Sequence, residues 1–350
     1  MVERCILSSS SPTDRGIVDE ICDTNPNATI YQTKYWWDLQ EQVFGYRTFY
    51  IHVRSDSRYC LLPLSGVRGI PTTSRLTCLP LTQFCGPLYT DSEMLHEAIS
   101  SAISLRVEKG YSALVIKPKT ELPESVHAHL EARGYYKDYW IDFRERKLDA
   151  IWNQLADGEK RRVRKAEKAS IVVDDNPGEQ DIAELNSIML QTTKRHNVPA
   201  YPKTLLRFIK DDMREQARIY VSKLDGMVIA GIVVLSFGSS SVYAYGFGLP
   251  QYFNTGSVPL LFWRAMVDGY NEGRECLDLG IASPTDEGLS SFKSRLGSNC
   301  RELPFYFEGA RFEELVFDPN SSARFLSKLY NVMPMSLHAV VGPHIVSRLG

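Results

Sequence analysis

The sequence predicts an α/β protein with mixed sheets, built as two domains of one architecture. Three observations carry this. Helical and strand-like patterns alternate along the whole chain instead of segregating. The order helix, three strands, long helix, strand, helix, strand fills residues 1–145, and the same succession of strands and helices returns between 146 and 310. At 350 residues the chain is long enough to bury two cores.

In the first half, Ile17, Val18 and Ile21 suggest a short helix. Thr33 is placed to cap a helix carrying Trp36, Trp37, Leu39 and Val43, ended by Gly45. Strands are expected at Thr48–Val53, Tyr59–Ser65 and Arg75–Leu81. A long helix covers Ser92–Glu108, with Gly110 as its stop, and Ala113–Ile116 reads as a buried strand. Pro123–Arg133 reads as a helix and Tyr139–Phe143 as the strand that closes the domain.

The second half opens on a basic segment, Gly158–Lys168, with Lys160, Arg164 and Lys168 along one helical flank. Helices follow at Asp181–Lys194 and Lys203–Arg214. Ile219–Lys223 and Met227–Phe237 are strands joined by an Asp225-Gly226 hairpin turn, and Ser241–Gly246 is a third. Tyr243 and Tyr245 share one face of that strand by alternation. Val258–Glu272 is a helix, and Cys276–Leu279 is a strand that Gly280 breaks. Ser283-Pro284-Thr285-Asp286 starts a helix with Leu289, Phe292 and Leu296 at core spacing and Gly297 as its stop. Leu303–Phe307 closes the second domain. The tail from Ser321 reads as one helix, a break at Pro334, and a second apolar helix broken at Pro343.

Composition narrows the function classes. Lys and Arg number 40 against 42 Asp and Glu, a balance unlike that of a uniformly basic nucleic-acid binder, though a local basic patch is present. The seven cysteines are odd in number and form no C-x-x-C, so neither a disulfide framework nor a zinc site is expected, and no metal is called for. No signal-peptide core and no run of eighteen apolar residues occurs, so the expectation is a cytoplasmic protein without a transmembrane segment.

The segment G-L-S-S-F-K-S-R-L-G, residues 288–297, resembles the G-x-x-x-F-K-x-x-F-G signature of the Fem-type aminoacyltransferases, with Leu296 in place of the second aromatic. Gln32 with Trp36 or Trp37 resembles the family's Q-S-x-x-W motif, and Thr192 with Arg195 its T-x-x-R. The basic stretch R-R-V-R-K-A-E-K resembles the helix opening the second Fem-type domain. A meander followed by a strand–helix–strand crossover is also how the GNAT acyltransferase fold is built. The resemblance thus implies two tandem GNAT-like domains, 1–145 and 146–310, the second carrying the F-K motif. Residues 311–350 are then a helical tail packed on the second domain. No heptad run is present, so no coiled-coil arm is expected.

The resemblance further implies N-acyl transfer to an amine of a cell-envelope precursor, a peptidoglycan or polysaccharide unit. The donor is a co-substrate, aminoacyl-tRNA or acyl-CoA, and no cofactor is implied. Lys293 is the candidate for stabilising the oxyanion and Asp278 for orienting or deprotonating the amine. Arg195, Tyr201, Tyr245, Phe292, Trp36 and Arg164 are candidate substrate contacts, Arg195 through its fork of donors. Some family members carry a substrate-binding lysine where this chain has Gln40 and Gln42. The loop from Leu249 to Pro259 holds only Gly256, so the glycine-rich pyrophosphate loop of CoA-dependent GNAT enzymes is absent. Two alternatives stand beside this reading. One is an acyl-CoA-dependent N-acetyltransferase acting on an amino sugar or small amine. The other is a non-catalytic ligand-binding relative. Peripheral membrane contact is compatible with each.

Overall fold

A computed structural model describes residues 2–69, 73–315 and 333–349. In chain order the first elements are β1 (Glu3–Leu7), α1 (Pro12–Thr24), α2 (Lys34–Asp38), β2 (Arg47–Ser55), β3 (Arg58–Val67) and β4 (Arg75–Thr77). Next come β5 (Leu88–Tyr89), α3 (Ser92–Lys109), β6 (Ala113–Ile116), β7 (Glu131–Asp142), α4 (Leu148–Gln154) and α5 (Asp157–Lys168). Then follow β8 (Val172–Asp174), α6 (Glu179–Arg195), α7 (Leu205–Asp212), β9 (Ala217–Leu224), β10 (Met227–Phe237) and β11 (Ser240–Gly248). The series ends with α8 (Ser257–Asn271), β12 (Cys276–Ala282), α9 (Glu287–Arg295), β13 (Asn299–Glu308), α10 (Phe312–Leu315) and α11 (Met335–Leu349).

The chain forms two compact units. The first comprises the described parts of Met1–Tyr136, Glu302–Val332 and Val340–Gly350, the second Lys137–Arg301 and Met333–Ala339. In the first, β1, β2, β3 and β4 pair antiparallel in sequence, and β4 then pairs in parallel with β6. The far side of β6 is covered by Tyr306–Glu308 of β13, antiparallel. In the second, β8, β9, β10 and β11 form an antiparallel meander, and β11 pairs in parallel with β12. The far side of β12 is covered by Lys137–Asp142 of β7, antiparallel.

The two units therefore share one plan, as the repeated element order predicts. The closing strands differ from expectation. The stretch around Tyr139 pairs in the second unit, and the stretch around Tyr306 pairs in the first. The units accordingly divide at 136 and 301 and not at 145 and 310. The tail also departs from expectation. Tyr46 of the first unit donates its hydroxyl proton to the carbonyl of Val346 at 2.8 Å, while Thr193 Oγ1 of the second meets His338 Nε2 at 3.2 Å. α11 runs through Pro343 without breaking, and the helix expected from Ser321 lies outside the described residues up to 332.

Local chemistry explains most boundaries. Asp91 caps α3 by accepting from the backbone N–H groups of Glu93 and Met94, and Gly110 ends it in the left-handed region at φ 70°. Trp36 and Trp37 are buried. Trp36 meets Tyr31 edge-on at 4.9 Å, and Trp37 stacks on Tyr50 at 4.0 Å, a contact worth about 0.5–1.5 kcal/mol beyond burial. Thr33 spends its hydroxyl on the carbonyl of Ile30 and gives α2 no side-chain cap. Residues 39–43 continue α2 as a wider π turn. The helix expected at Pro123–Arg133 is one short 3-10 turn, Glu124–Ala128, after which β7 begins.

The second unit's core gathers Tyr139, Ile141 and Phe143 with Leu261, Phe262 and Met266 of α8 and Leu277 and Leu279 of β12. All seven cysteines are free thiols. Among the described residues no group of His, Cys, Asp and Glu could hold a metal ion, and no helix is long and apolar enough to cross a membrane.

Candidate active site

The site is built at the C-terminal ends of β11 and β12. These strands are parallel and joined through α8, and such a crossover leaves a crevice beyond the strand ends. β12 does not stop at Gly280, as the sequence suggests. It continues to Ala282, because Gly280 takes φ 75° and Leu279 forms a bulge opposite Tyr139 and Trp140 of β7. The bulge re-aims the strand around Asp278. That carboxylate is fully buried, and its Oδ1 accepts from the backbone N–H of Gly280 at 2.8 Å.

Lys293 lies where α9 returns over this strand end. Asp286 caps α9 by accepting from the N–H of Leu289 at 2.9 Å, and Leu296 sits in the core. The spacing suggests a buried Phe292 and a lysine turned to the edge. The structure inverts this. Phe292 is half-buried, edge-on to Phe262 at 5.4 Å, while Lys293 is only 3% exposed. The Lys293 Nζ donates to the carbonyl of Ile281 at 2.7 Å and lies 5.6 Å from the centre of the Tyr139 ring. Burial lowers its pKa to about 8, partly opposed by the charges of Asp278, Asp138 and Asp286.

Asp138 is a member of this cluster that reading the sequence missed. It stands opposite Ile281 in the ladder, is fully buried, and accepts from Arg301 Nη2 at 3.3 Å. Arg301 in turn lies 5.2 Å from the centre of the Trp140 ring. The available signal was a lone acid at the head of an aromatic strand, D-Y-W-I, from residue 138.

A second group of candidates gathers at the end of β11. Tyr245 is buried, and its ring meets that of Tyr201 edge-on at 5.4 Å. Arg195 donates from Nη1 to the carbonyl of Gly248 at 3.2 Å and lies 5.3 Å from the centre of the Phe253 ring. No carboxylate pairs with Arg195 among the described residues, and burial alone lowers its pKa. Burial and the charge of Arg195 lower the pKa of its neighbour His196, opposed by the charge of Asp286, the cap of α9. A bulge at Ala244 upsets the simple alternation of Tyr243 and Tyr245, and the former packs on Phe262 instead.

The remaining candidates lie elsewhere. Arg164 is exposed on α5, 5.5 Å from the centre of the Trp152 ring. Trp36 is in the core of the first unit, fully covered. Gln40, one of the two glutamines where some Fem-type proteins carry a lysine, is also fully buried and donates to the carbonyl of Pro80 at 3.0 Å.

The loop before α8 has an occupant. Gly256 takes φ 88°, and a Cβ there would stand 2.1 Å from the carbonyl oxygen of Arg162. Lys165 Nζ donates to the carbonyl of Asn254 at 2.7 Å. The loop is thus packed against the backbone of α5.

Residues 157–294 match the family model described as an acetyltransferase (GNAT) domain. No curated protein matches the sequence. Among solved structures, FemX superposes with a TM-score of 0.66 at 14% identity, covering 87% of this chain and 96% of its own. L-PGS from Bacillus licheniformis gives 0.57 at 15% identity, covering 92% and 98%. A tandem GNAT protein from the clavulanic acid biosynthesis pathway gives 0.56 at 13% identity, covering 88% and 98%. The domain match and the fold support an acyltransferase, an enzyme moving acyl or aminoacyl groups. Within that class the chain has the Fem-like tandem GNAT acyltransferase fold.

Proposed function

We propose that this protein is a Fem-like N-acyltransferase that moves an aminoacyl group from an activated ester to an amine of a cell-envelope precursor. The observation that carries the reading is the buried Lys293 ammonium, set against the Ile281 carbonyl at the end of β12 beside two buried carboxylates.

In the proposed reaction the acceptor amine attacks the ester carbonyl. A C–N bond forms and the carbonyl electron pair moves onto oxygen. Lys293 stabilises that oxyanion as a point charge, already desolvated and so stronger than in water. Asp278 takes the proton lost by the amine, with Asp138 and Arg301 fixing the charge around it. The intermediate collapses, the C–O bond breaks, and the leaving alkoxide takes up the proton that Asp278 accepted, which returns Asp278 to its carboxylate form. In this reading Arg195, against the ring of Phe253, grips a phosphate or carboxylate of the substrate.

An aminoacyl ester is favoured over acyl-CoA because Gly256 serves the packing of α5 and the loop offers no further glycine to a pyrophosphate. The exposed cations of α5, Arg161, Arg164 and Lys168, suit a polyanionic donor such as aminoacyl-tRNA. The free thiols suit a reducing, cytoplasmic setting.

The test is transfer of a radiolabelled amino acid from aminoacyl-tRNA to muropeptide precursors bearing free amines, with wild type and Lys293→Met. Lysine-dependent transfer supports the reading. Transfer from acetyl-CoA alone replaces it with the CoA-dependent N-acetyltransferase. Precursor binding without any transfer leaves a ligand-binding relative.

A further inference from the structure

The parallel pair of the first unit also ends at a lysine. β4 and β6 align through Arg75–Ala113, Leu76–Leu114 and Thr77–Val115, and Lys117 is the first residue past β6. This is the place in the first unit that the end of β12, with Lys293 over it, holds in the second. Lys117 is half-buried. Its carbonyl accepts from the N–H of Cys85 at 2.8 Å, which ties it to the loop of residues 78–87.

That loop is strained and firmly held. Leu79 and Leu81 take φ 33° and 61°, a region costly for a residue with a Cβ. Gln40 donates to the carbonyl of Pro80, Thr82 to that of Leu79 at 2.6 Å, and Gln32 to that of Gly86 at 3.1 Å. Gly86 lies so close to Pro118 that a Cβ would stand 2.8 Å from it. Strain kept in place by this many contacts is characteristic of ligand sites.

The surroundings of Lys117 are positive. Arg75, itself buried, repels its charge, and the other titratable groups acting on it are the thiols of Cys78 and Cys85. Burial and Arg75 together lower its pKa to about 8. Its ammonium makes no hydrogen bond or ion pair among the described residues. Lys293, by contrast, has a carbonyl and three acids. A partly buried ammonium that feels a guanidinium's charge and has no acid acting on it favours an anion.

We propose that the C-terminal end of the β4–β6 pair is a second ligand site, where Lys117 grips an anionic oxygen group, a carboxylate or phosphate, of a bound molecule. The site does not depend on the role of Lys293.

The test uses the full chain with two probes, inorganic pyrophosphate for phosphate oxygens and citrate for carboxylates. Brief acetylation with acetic anhydride, read by peptide mass spectrometry, reports each lysine separately. A saturating probe is expected to slow acetylation of Lys117 about fivefold or more, because a bound anion holds the amine protonated, and to leave Lys109 unchanged. Protection by pyrophosphate alone assigns a phosphate, by citrate alone a carboxylate. Calorimetric affinity for the protecting probe should fall about tenfold in Lys117→Met and persist in Lys117→Arg, which keeps the charge. Protection of Lys117 by neither probe, or equal affinity of the Lys117→Met protein, overturns the proposal. The acetylation experiment needs only wild type, so it decides even where a variant fails to fold.

Discussion

Glu159 of α5 accepts a hydrogen bond from Nε of Arg295 at 2.8 Å, and Arg295 stands two residues past Lys293 on α9. The Glu159 carboxylate is 1% exposed and also pairs with Arg162 at 3.3 Å. Two backbone ties run beside it. The N–H of Ala156 donates to the carbonyl of Arg295 at 2.9 Å, and Gly297 packs so closely on Gln154 that a Cβ would stand 2.8 Å from its backbone. The start of α5 therefore fixes the end of α9, and with it the position of Lys293. Arg295→Ala leaves the buried carboxylate with Arg162 alone, so stability should fall by up to about 3 kcal/mol, the low end for such pairs because Arg295 is partly exposed and Arg162 remains. Urea denaturation measures it, and a cycle with Glu159→Ala should show non-additivity.

Lys293→Met should lower turnover about a hundred- to thousand-fold if the ammonium stabilises the oxyanion. Its effect on stability has a definite sign. The folded pKa of about 8 lies below the ordinary 10.5, so the unfolded chain binds the extra proton between those values. Wild-type stability should thus rise as pH climbs from about 8 to 10.5 on account of this group. Lys293→Met removes that slope and should be no less stable than wild type at pH 7, since burying the charge is what it relieves. Thermal melts across that range decide, and an unchanged slope would falsify the assignment.

The carboxylates tune the lysine. Asp278 and Asp138 both favour the charged form of Lys293, so Asp278→Asn and Asp138→Asn should each move the alkaline limb of the rate profile below about pH 8. If Asp278 is the base, its variant should also lose about a hundredfold or more in turnover at every pH. Initial rates between pH 6 and 10 separate these effects.

Gly256→Ala should be markedly destabilising, because both the left-handed backbone and the Arg162 carbonyl at 2.1 Å oppose a Cβ. Gly226 has φ 81° with open space around it, so Gly226→Ala reports the backbone contribution alone, about 1 kcal/mol. The difference between their urea midpoints measures the packing of α5 on the loop.

The basic helix is tested by salt. Lys160 is tied to Asp157 at 2.9 Å and Lys165 to the carbonyl of Asn254, while Arg161, Arg164 and Lys168 are exposed. If they neutralise phosphates, the triple Ala variant should flatten the salt dependence of tRNA binding by about 0.7–0.9 in log–log slope for each phosphate left unneutralised. Filter binding at several salt concentrations gives the slopes, and equal slopes would mean a merely solvated face.

The sequence by itself determined the two-domain plan, the helix that carries Lys293, the tight turn at Asp225-Gly226 and the poverty of the loop before α8. These are local properties. Periodicity, caps and turn glycines act within a few residues, so they are legible without knowing what lies across the fold. Only the tertiary structure decided which sheet each closing strand joins. A short apolar strand such as Tyr139–Phe143 reads the same whichever partner supplies its hydrogen bonds, and its pairing with β12 is what places Asp138 opposite Ile281. Burial of Lys293 was beyond sequence for the same reason. Helical spacing gave Phe292 the core position, yet the bulge at Leu279 and the carbonyl of Ile281 made a polar socket for the lysine. Whether a charge is buried depends on partners contributed by distant strands, and no pattern within one helix encodes them.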